Sequence, residues 1–364
     1  MNMEDIAKIA KVSKAAVSLA LNGKPGISAG TRERILTIVR DQGYLPKSMI
    51  KADQVYGVGK TLRFIVFTKA GIVLEQYYKQ PFFMELIHFL EERARSHGYS
   101  LMFSAINVQD DQQGVQQFLS EGNSKGMILL GTNLDQEMIR QIAGMETNLV
   151  VLDTCFETLA VNFVVMNNVK GAYDAGRYLC EHGHERIGYV QSDIRMYNFD
   201  MRRQGFMTAL LEHRLNVNDS DLFTVTPTLL SVQEDFKQQI QARLNRNESL
   251  PTAMFCECDY IAISVIKSLA EMGIRVPEDI SIIGFDNISE AEVISPELTT
   301  IHVEKKVMAA HAVDKLIQMI EHDDNVKMKT IVDTMIIERA SCREISPITI
   351  TKPGTSVARV PRKA

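Results

Sequence analysis

From Ser13 to Asn22 the chain reads SKAAVSLALN, a run that sets short hydroxyl, ammonium and amide groups along one side of a helix. At helical spacing Ser13, Lys14, Ala15, Ala16, Ser18, Leu19 and Asn22 look outward, while Val17, Ala20 and Leu21 point inward. Such a face suits hydrogen bonding to phosphate oxygens and base edges. Nothing elsewhere is spaced for covalent chemistry. The chain shows no nucleophile elbow, phosphate loop or zinc-ligand spacing, so an enzyme is not expected. Cys256-x-Cys258 lies inside the apolar run AMFCEC without partner ligands and reads as buried thiols. Two aspartates stand where ligands gather. Asp153 ends LVVLD and Asp286 ends IIGFD, and open α/β sheets bind ligands beyond the carboxyl ends of their strands. A helix cap or turn residue is the rival reading of each.

The elements that position the outward face are short helices. Ile6, Ile9 and Ala10 share one side of a first helix, with Glu4 and Asp5 at its N-terminal end. Lys11-Val12 makes a turn, Ser13 caps the second helix, and Asn-Gly-Lys-Pro-Gly breaks it off. Ser28 opens a third helix with Ile35, Ile38 and Val39 on its core side, ending at Gly43. This is the helix-turn-helix plan for reading a DNA major groove, with a plain three-helix bundle as the alternative. Charge favours the first. Residues 1–51 hold nine Lys or Arg against four acids, a net +5, while the whole chain is −5, so the remainder carries −10. A basic head on an acidic body is the footprint of phosphate binding.

From Leu62 the pattern changes. LRFIVFT, SLMFSAI, GMILLG and LVVLD are short apolar runs that alternate with the amphipathic stretches PFFMELIHFLEERARSHGYS, GVQQFLSEG and QEMIRQIAG. Alternation of that kind means a doubly wound parallel sheet. It recurs after Gly171, giving two similar α/β halves. A length of 364 residues fits a head plus a large body, and no apolar run is long enough to cross a bilayer. Five scattered cysteines argue against a disulfide scaffold, and the polar N-terminus does not read as an export signal. A cytoplasmic protein is expected. Residues 344–364 lose all periodicity, turn basic and read as a disordered tail.

AVSLALNGKPGIS, TRERIL and GYLP resemble the N-terminal signature of the lactose-repressor (LacI/GalR) family of bacterial transcription regulators. NNVKGA, GHERIGYV, PEDISIIGFDN and SPELTTIHVEKKVM extend the resemblance along the body. It implies an all-α head at 1–46, a linker at 47–61 and a two-lobed, periplasmic-binding-protein-like effector and dimerisation body at 62–343. Lobe 1 would take about 62–162 plus 290–322, and lobe 2 about 163–289 plus 323–343. The expected crossovers lie near Phe163, Ser289 and His322.

By the same resemblance Ser13 and Ser18 contact phosphates, and Lys14 and Ala15 contact bases. Asn22 and the backbone-contact candidate Arg32 complete the DNA face. Leu19 replaces a common guanine-reading arginine and can offer only apolar contact. In the linker the minor-groove leucine position falls on Asp53, which cannot be slid between stacked bases. In the body Arg202, within Arg-x-x-Gly-Phe, matches the family's effector-binding arginine, a planar fork of donors for sugar hydroxyls or a carboxylate. Asp153, Asp286 and Asp259 join it in the cleft, although Cys258-Asp259 replaces the usual Asn-Asp pair. Phe82 and Phe199 are stacking candidates, as are Tyr77 and Tyr197. The Gly-His dipeptide at His184 precedes a strand in this family without a metal.

The function so implied is a repressor, nucleoid-associated in a bacterium. It would bind a near-palindromic operator as a homodimer, with a tetramer also open, and obey a small-molecule effector of the sugar class. A periplasmic-type solute-binding protein and a regulator controlled by a protein partner are the competing readings. Dimer contacts are expected from the helix carrying Phe83 to Leu90 and from the segment after Leu298.

Overall fold

A computed structural model describes, in the head, residues 7, 9, 10, 12–21, 27, 28, 30, 31, 35 and 38. In the body it describes residues 60–68, 77, 79–107, 124–227 and 230–345. Asn22, Arg32, Asp53 with most of the linker, the GVQQFLSEG stretch and the tail beyond 345 lie outside the described residues, as does the end of the third helix.

The described part of the head packs as its pattern requires. Helix α1 (Lys14–Leu21) turns Val17 and Ala20 onto a small core with Ala7, Ala10 and Ile35. Ser13 caps it, its Oγ accepting from the Ala16 N–H at 3.1 Å. Ser28 repeats the device for the third helix, accepting from the Thr31 N–H at 3.2 Å. One expectation fails. Ile9 is 49 % exposed, and Ala7 takes the inward place beside Ala10. Two small side chains let the neighbouring helices come close enough to cover Val17 completely.

The body opens with β1 (Thr61–Thr68), whose six central residues are buried because helices cover both faces of its sheet. Then come α2 (Pro81–Ser96), β2 (Ser100–Asn107), β3 (Gly126–Leu130), α3 (Gln136–Met145), β4 (Leu149–Leu152) and β5 (Asn162–Met166). The second half holds α4 (Asn168–Glu181), β6 (Ile187–Ser192), α5 (Tyr197–Glu212), β7 (Leu222–Val225), α6 (Glu234–Asn245), β8 (Ala253–Cys256), α7 (Asp259–Glu271) and β9 (Ser281–Ile283). The chain closes with β10 (Thr300–Val303), α8 (Lys305–His322), β11 (Lys329–Val332) and β12 (Thr334–Ile337). Among the described residues the first lobe is a parallel sheet of order β11-β5-β4-β3-β1-β2, and the second is a parallel sheet β7-β6-β8-β9. No helix among them is long and apolar enough to cross a membrane.

The crossovers fall later than the sequence leads one to expect. β5 pairs with β4, so the chain stays in lobe 1 through Met166. Thr299 and His302 bridge to Ile283 and Asp286, and β10 pairs with β12, which keeps 299–303 with lobe 2. The return crossing comes only at Lys305, where α8 begins. β11 then pairs with β5 in lobe 1, so the last crossing lies between Val332 and Thr334 rather than near His322.

Helices α4 and α5 pack unusually close beneath the lobe 2 sheet. A Cβ at Gly205 would collide with the Val169 carbonyl oxygen, and one at Gly176 would stand 2.9 Å from the Ala209 Cβ. Gly205→Ala must push α5 away from α4, and α5 carries the side chains of the cleft. We expect a loss of about 2–3 kcal/mol in urea unfolding, whereas Gly144→Ala, with open space around it, serves as a neutral control.

Candidate functional site

Three chain segments meet at the floor of the cleft between the lobes. Asp153 follows β4 at φ 65°, and Asp286 follows β9 at φ 120°, both outside the backbone regions L residues prefer. The first two turns of α5 supply Asn198, Phe199 and Arg202. Arg202 is 3 % exposed, and each of its nitrogens has a partner. Nε donates to Asn168 Oδ1 at 2.9 Å, one terminal nitrogen to the Glu257 carbonyl at 2.6 Å, and the other to Asp286 Oδ1 at 2.9 Å. The guanidinium also lies 3.7 Å from the Phe285 ring centre and 5.7 Å from that of Phe199.

Burial pushes the Asp286 carboxyl up, and the Arg202 and Lys305 charges pull against it. Lys305 donates to the carbonyls of Asp286 and Asn287, both at 3.3 Å, and pairs with Glu85 at 3.1 Å. Asp153 is pushed up to about 6, again by burial, against the Thr132 hydrogen bond and the Arg202 charge. Its carboxylate accepts from the Thr132 hydroxyl and from Asn198 Nδ2, the latter at 2.9 Å.

Of the residues singled out in the sequence, Asp153, Arg202, Asp286, Phe82 and Phe199 all line one cavity of about 40 Å³. That is room for a few waters. A wider groove of about 420 Å³ opens beside it, between Asn133–Gln136 and Ile194–Met201, and shares Thr132 and Met196. Tyr197 faces this groove, while Tyr77 packs on Phe103 with ring centres 5.2 Å apart.

Asp259 does not face the cavity. It is fully buried, accepting from the Thr300 hydroxyl at 2.5 Å and from the Ile288 N–H at 3.0 Å. Its place among the cleft contacts is therefore corrected. It ties α7 to the segment after β9, and burial pushes its carboxyl up to about 7. Sequence reading misses Thr132, Asn198, Asn168, Glu257 and Tyr260. Two of these carry a signal, since Asn198 stands one helical turn before Arg202 and Asn168 lies within NNVKGA.

The remaining candidates have structural surroundings. His184 is held between Thr252 Oγ1 at 2.9 Å and the Arg343 carbonyl at 3.1 Å, and burial pulls its imidazole down to about 4. Cys256 and Cys258 are buried thiols whose titration burial pushes upward. On the head, Ser13 and Lys14 are exposed at the start of α1 and Leu19 is half-buried, while Ala15 and Ser18 lie within the same helix.

A basic helical head joined to two parallel-sheet lobes with a polar interlobe floor has counterparts among known proteins. The model for bacterial regulatory proteins of the lacI family matches residues 2–47, and that for the periplasmic binding protein-like domain matches residues 177–342. The HTH-type transcriptional repressor PurR of Aliivibrio salmonicida is 30 % identical over 321 residues, 88 % of this chain and 92 % of that protein. The chain belongs to the lacI family. It is a DNA-binding transcriptional repressor and not an enzyme. Among solved structures, the lac repressor dimer bound to operator and the anti-inducer ONPF shares the fold at a TM-score of 0.67 and 22 % identity, covering 94 % of this chain and 99 % of that one. The complex of the transcriptional regulator CelR with cellobiose gives 0.67 and 20 % over the same shares.

Burying Asp259 has a consequence that pH reveals. Its folded-state value of about 7 lies above the ordinary 3.8, so the folded protein holds a proton there that the unfolded chain has released. This lacI-family chain should therefore lose stability at that site as pH rises from 5 to 8. An asparagine in its place would keep both bonds, its oxygen accepting from the Ile288 N–H and its amide donating to the Thr300 hydroxyl. Urea unfolding of Asp259→Asn against the parent should shift in the variant's favour by roughly 2 kcal/mol between pH 5 and pH 8. An unchanged difference would mean that the carboxylate is not destabilised by burial.

Proposed function

We propose that this repressor binds a near-palindromic operator as a homodimer and is controlled by an uncharged, hydroxyl-rich small molecule of the sugar class in the interlobe cleft. The observation that carries the reading is the meeting of Asp153, Arg202 and Asp286 at one floor built from both lobes. Two carboxylates and a guanidinium whose charge is already matched by Asp286 offer acceptors and donors to hydroxyls, but no unmatched cation for an anionic ligand. Phe82 and Phe199 supply the apolar walls on which a ring can rest. The CelR complex with cellobiose supports that class of ligand.

In the same reading the head is 1–46, the linker 47–61 and the effector body 62–343. Ser13 and Ser18 hold phosphates, Lys14, Ala15 and Leu19 meet base edges, and Asn22 and Arg32 complete the contact. The dimer face is α2 with the segment after Leu298. It includes the side of α2 and α8 where Phe89, Arg93 and Lys306 line a groove of about 280 Å³. A ligand then alters operator affinity only as far as it binds the two lobe arrangements differently.

Footprinting of the purified protein on DNA from its own promoter neighbourhood tests this directly. We expect a protected near-palindrome whose affinity falls steeply with salt, and release or tightening by one sugar of a panel. Lys14→Ala should weaken binding by about 1–3 kcal/mol and relax sequence preference at one position of each half-site. Arg202→Lys, which keeps a cation beside Asp286 but loses the planar fork of donors, should abolish the sugar response while leaving protection in place. Protection that no sugar changes would remove the effector assignment, and no selective protection at low salt would remove the operator assignment.

A further inference from the structure

We propose that Asn198 is a built-in tether that closes the cleft with the chain's own atoms, occupying the acceptors on Asp153 that an effector must take over. The proposal rests on the reading of the cleft as the effector site.

Asn198 belongs to lobe 2, in the first turn of α5, and Asp153 to lobe 1, at the end of β4. One amide nitrogen spans the gap, donating to Asp153 Oδ1 at 2.9 Å and to the Asp153 carbonyl at 3.1 Å. The other end of the amide is fixed as well. Asn198 Oδ1 accepts from Asn168 Nδ2 at 2.9 Å, and Asn168 Oδ1 in turn accepts from Arg202 Nε. Asp153, Asn198, Asn168, Arg202 and Asp286 thus form one unbroken hydrogen-bonded row across the lobes, with Asn198 4 % exposed. The second carboxylate oxygen of Asp153 accepts from Thr132 of its own lobe, so both oxygens are taken.

Geometry then sets the order of events. A cavity of about 40 Å³ is far below the roughly 300 Å³ at which small-molecule sites begin. A ring can enter only if α5 and β4 separate, and their separation breaks the Asn198 bonds first. A second link spans the lobes nearby. The Phe82 N–H at the start of α2 donates to the Tyr260 hydroxyl on α7 at 3.2 Å. That bond is a useful reporter, because it is a backbone amide of lobe 1 protected by a side chain of lobe 2. A hydroxyl-rich ligand that displaces the amide offers Asp153 donors in its place.

Hydrogen exchange of the full-length protein, without added sugar, tests the tether. The readouts are the peptide containing Phe82 and, as an internal control, the peptide covering the buried strand β8. Asn198→Ala removes the donor, and Asn198→Asp places a second carboxylate against Asp153. Both are expected to raise exchange at Phe82 at least tenfold and leave β8 unchanged, with the larger rise in Asn198→Asp. Unchanged exchange at Phe82 in Asn198→Ala would overturn the proposal. So would a rise that extends equally to β8, since the amide would then be a folding contact rather than a tether. The response of the parent protein's operator footprint to the sugar panel reports separately on the cleft reading beneath it, for its failure leaves the exchange result intact.

Discussion

A guanidinium withdrawn from water has to be given partners in every direction, and the architecture around Arg202 answers that requirement. An isolated buried charge is not tolerated, and breaking a buried pair by removing one member is strongly destabilising. Arg202 draws its partners from three places in the chain: Asn168 at the head of α4, the Glu257 carbonyl after β8, and the pair Phe285-Asp286 after β9, the first by its ring face and the second by its carboxylate. None of these can shift far without exposing the charge or orphaning a donor. The strained φ of Asp286 is held in place by the same ion pair and by its N–H donating to the Ile301 carbonyl. The second lobe is therefore a rigid block at its cleft face, and the freedom that remains lies between the blocks.

Behind this row stands a parallel case one layer deeper. Glu257 is fully buried and accepts from the Tyr189 hydroxyl, the Ser192 N–H and Arg195, so its carbonyl is aimed at Arg202 with little play. Arg195 itself reaches out to Asp200 in the wider groove. The polar groups of lobe 2 are thus satisfied in series from the core to the surface. By contrast, few bonds cross between the lobes at the floor: those of the neutral Asn198 amide and Tyr260 hydroxyl, and the long 3.3 Å bonds from the Lys305 ammonium to the Asp286 and Asn287 carbonyls. Neutral hydrogen bonds contribute about 1 kcal/mol each where charged buried pairs weigh several. Lobe integrity and lobe closure are consequently separated in energy, which is what a two-state sensor needs.

Much of this is legible in the sequence because it depends on local pattern. β1, β3 and β4 declare themselves as short apolar runs, Ser13 and Ser28 as caps, and Asp153 and Asp286 as residues ending strands. What fails depends on partners distant in the chain. Lys329–Val332 is a four-residue strand with alternating exposure, and nothing in its composition says that β5 lies beside it. The lobe crossings expected from sequence therefore fall too early. Asp259 is placed in the cleft by its resemblance to the family's Asn-Asp pair, yet its carboxylate turns inward, into the space that a Cβ on Gly284 would need. The signal is that glycine in IIGFD, and it becomes readable only when α7 is known to pack on β9.

The two aspartates of the cleft show how one residue type serves opposite ends. Asp286 is paired with a buried cation and orients Arg202. Asp153 has no cation of its own and is held by neutral donors, Thr132 from one lobe and Asn198 from the other. A carboxylate in that condition is poised between partners, because any hydroxyl or amide of suitable reach can replace either donor at little net change in free energy. Selectivity then cannot come from the strength of one bond. In the proposed effector reading it has to come from shape, from whether an incoming ring that frees Asp153 from Asn198 also finds Phe82 and Phe199 at the spacing of its apolar faces. In the proposed effector reading, only the difference between a ligand's affinities for the two lobe arrangements reaches the heads as a change in operator affinity.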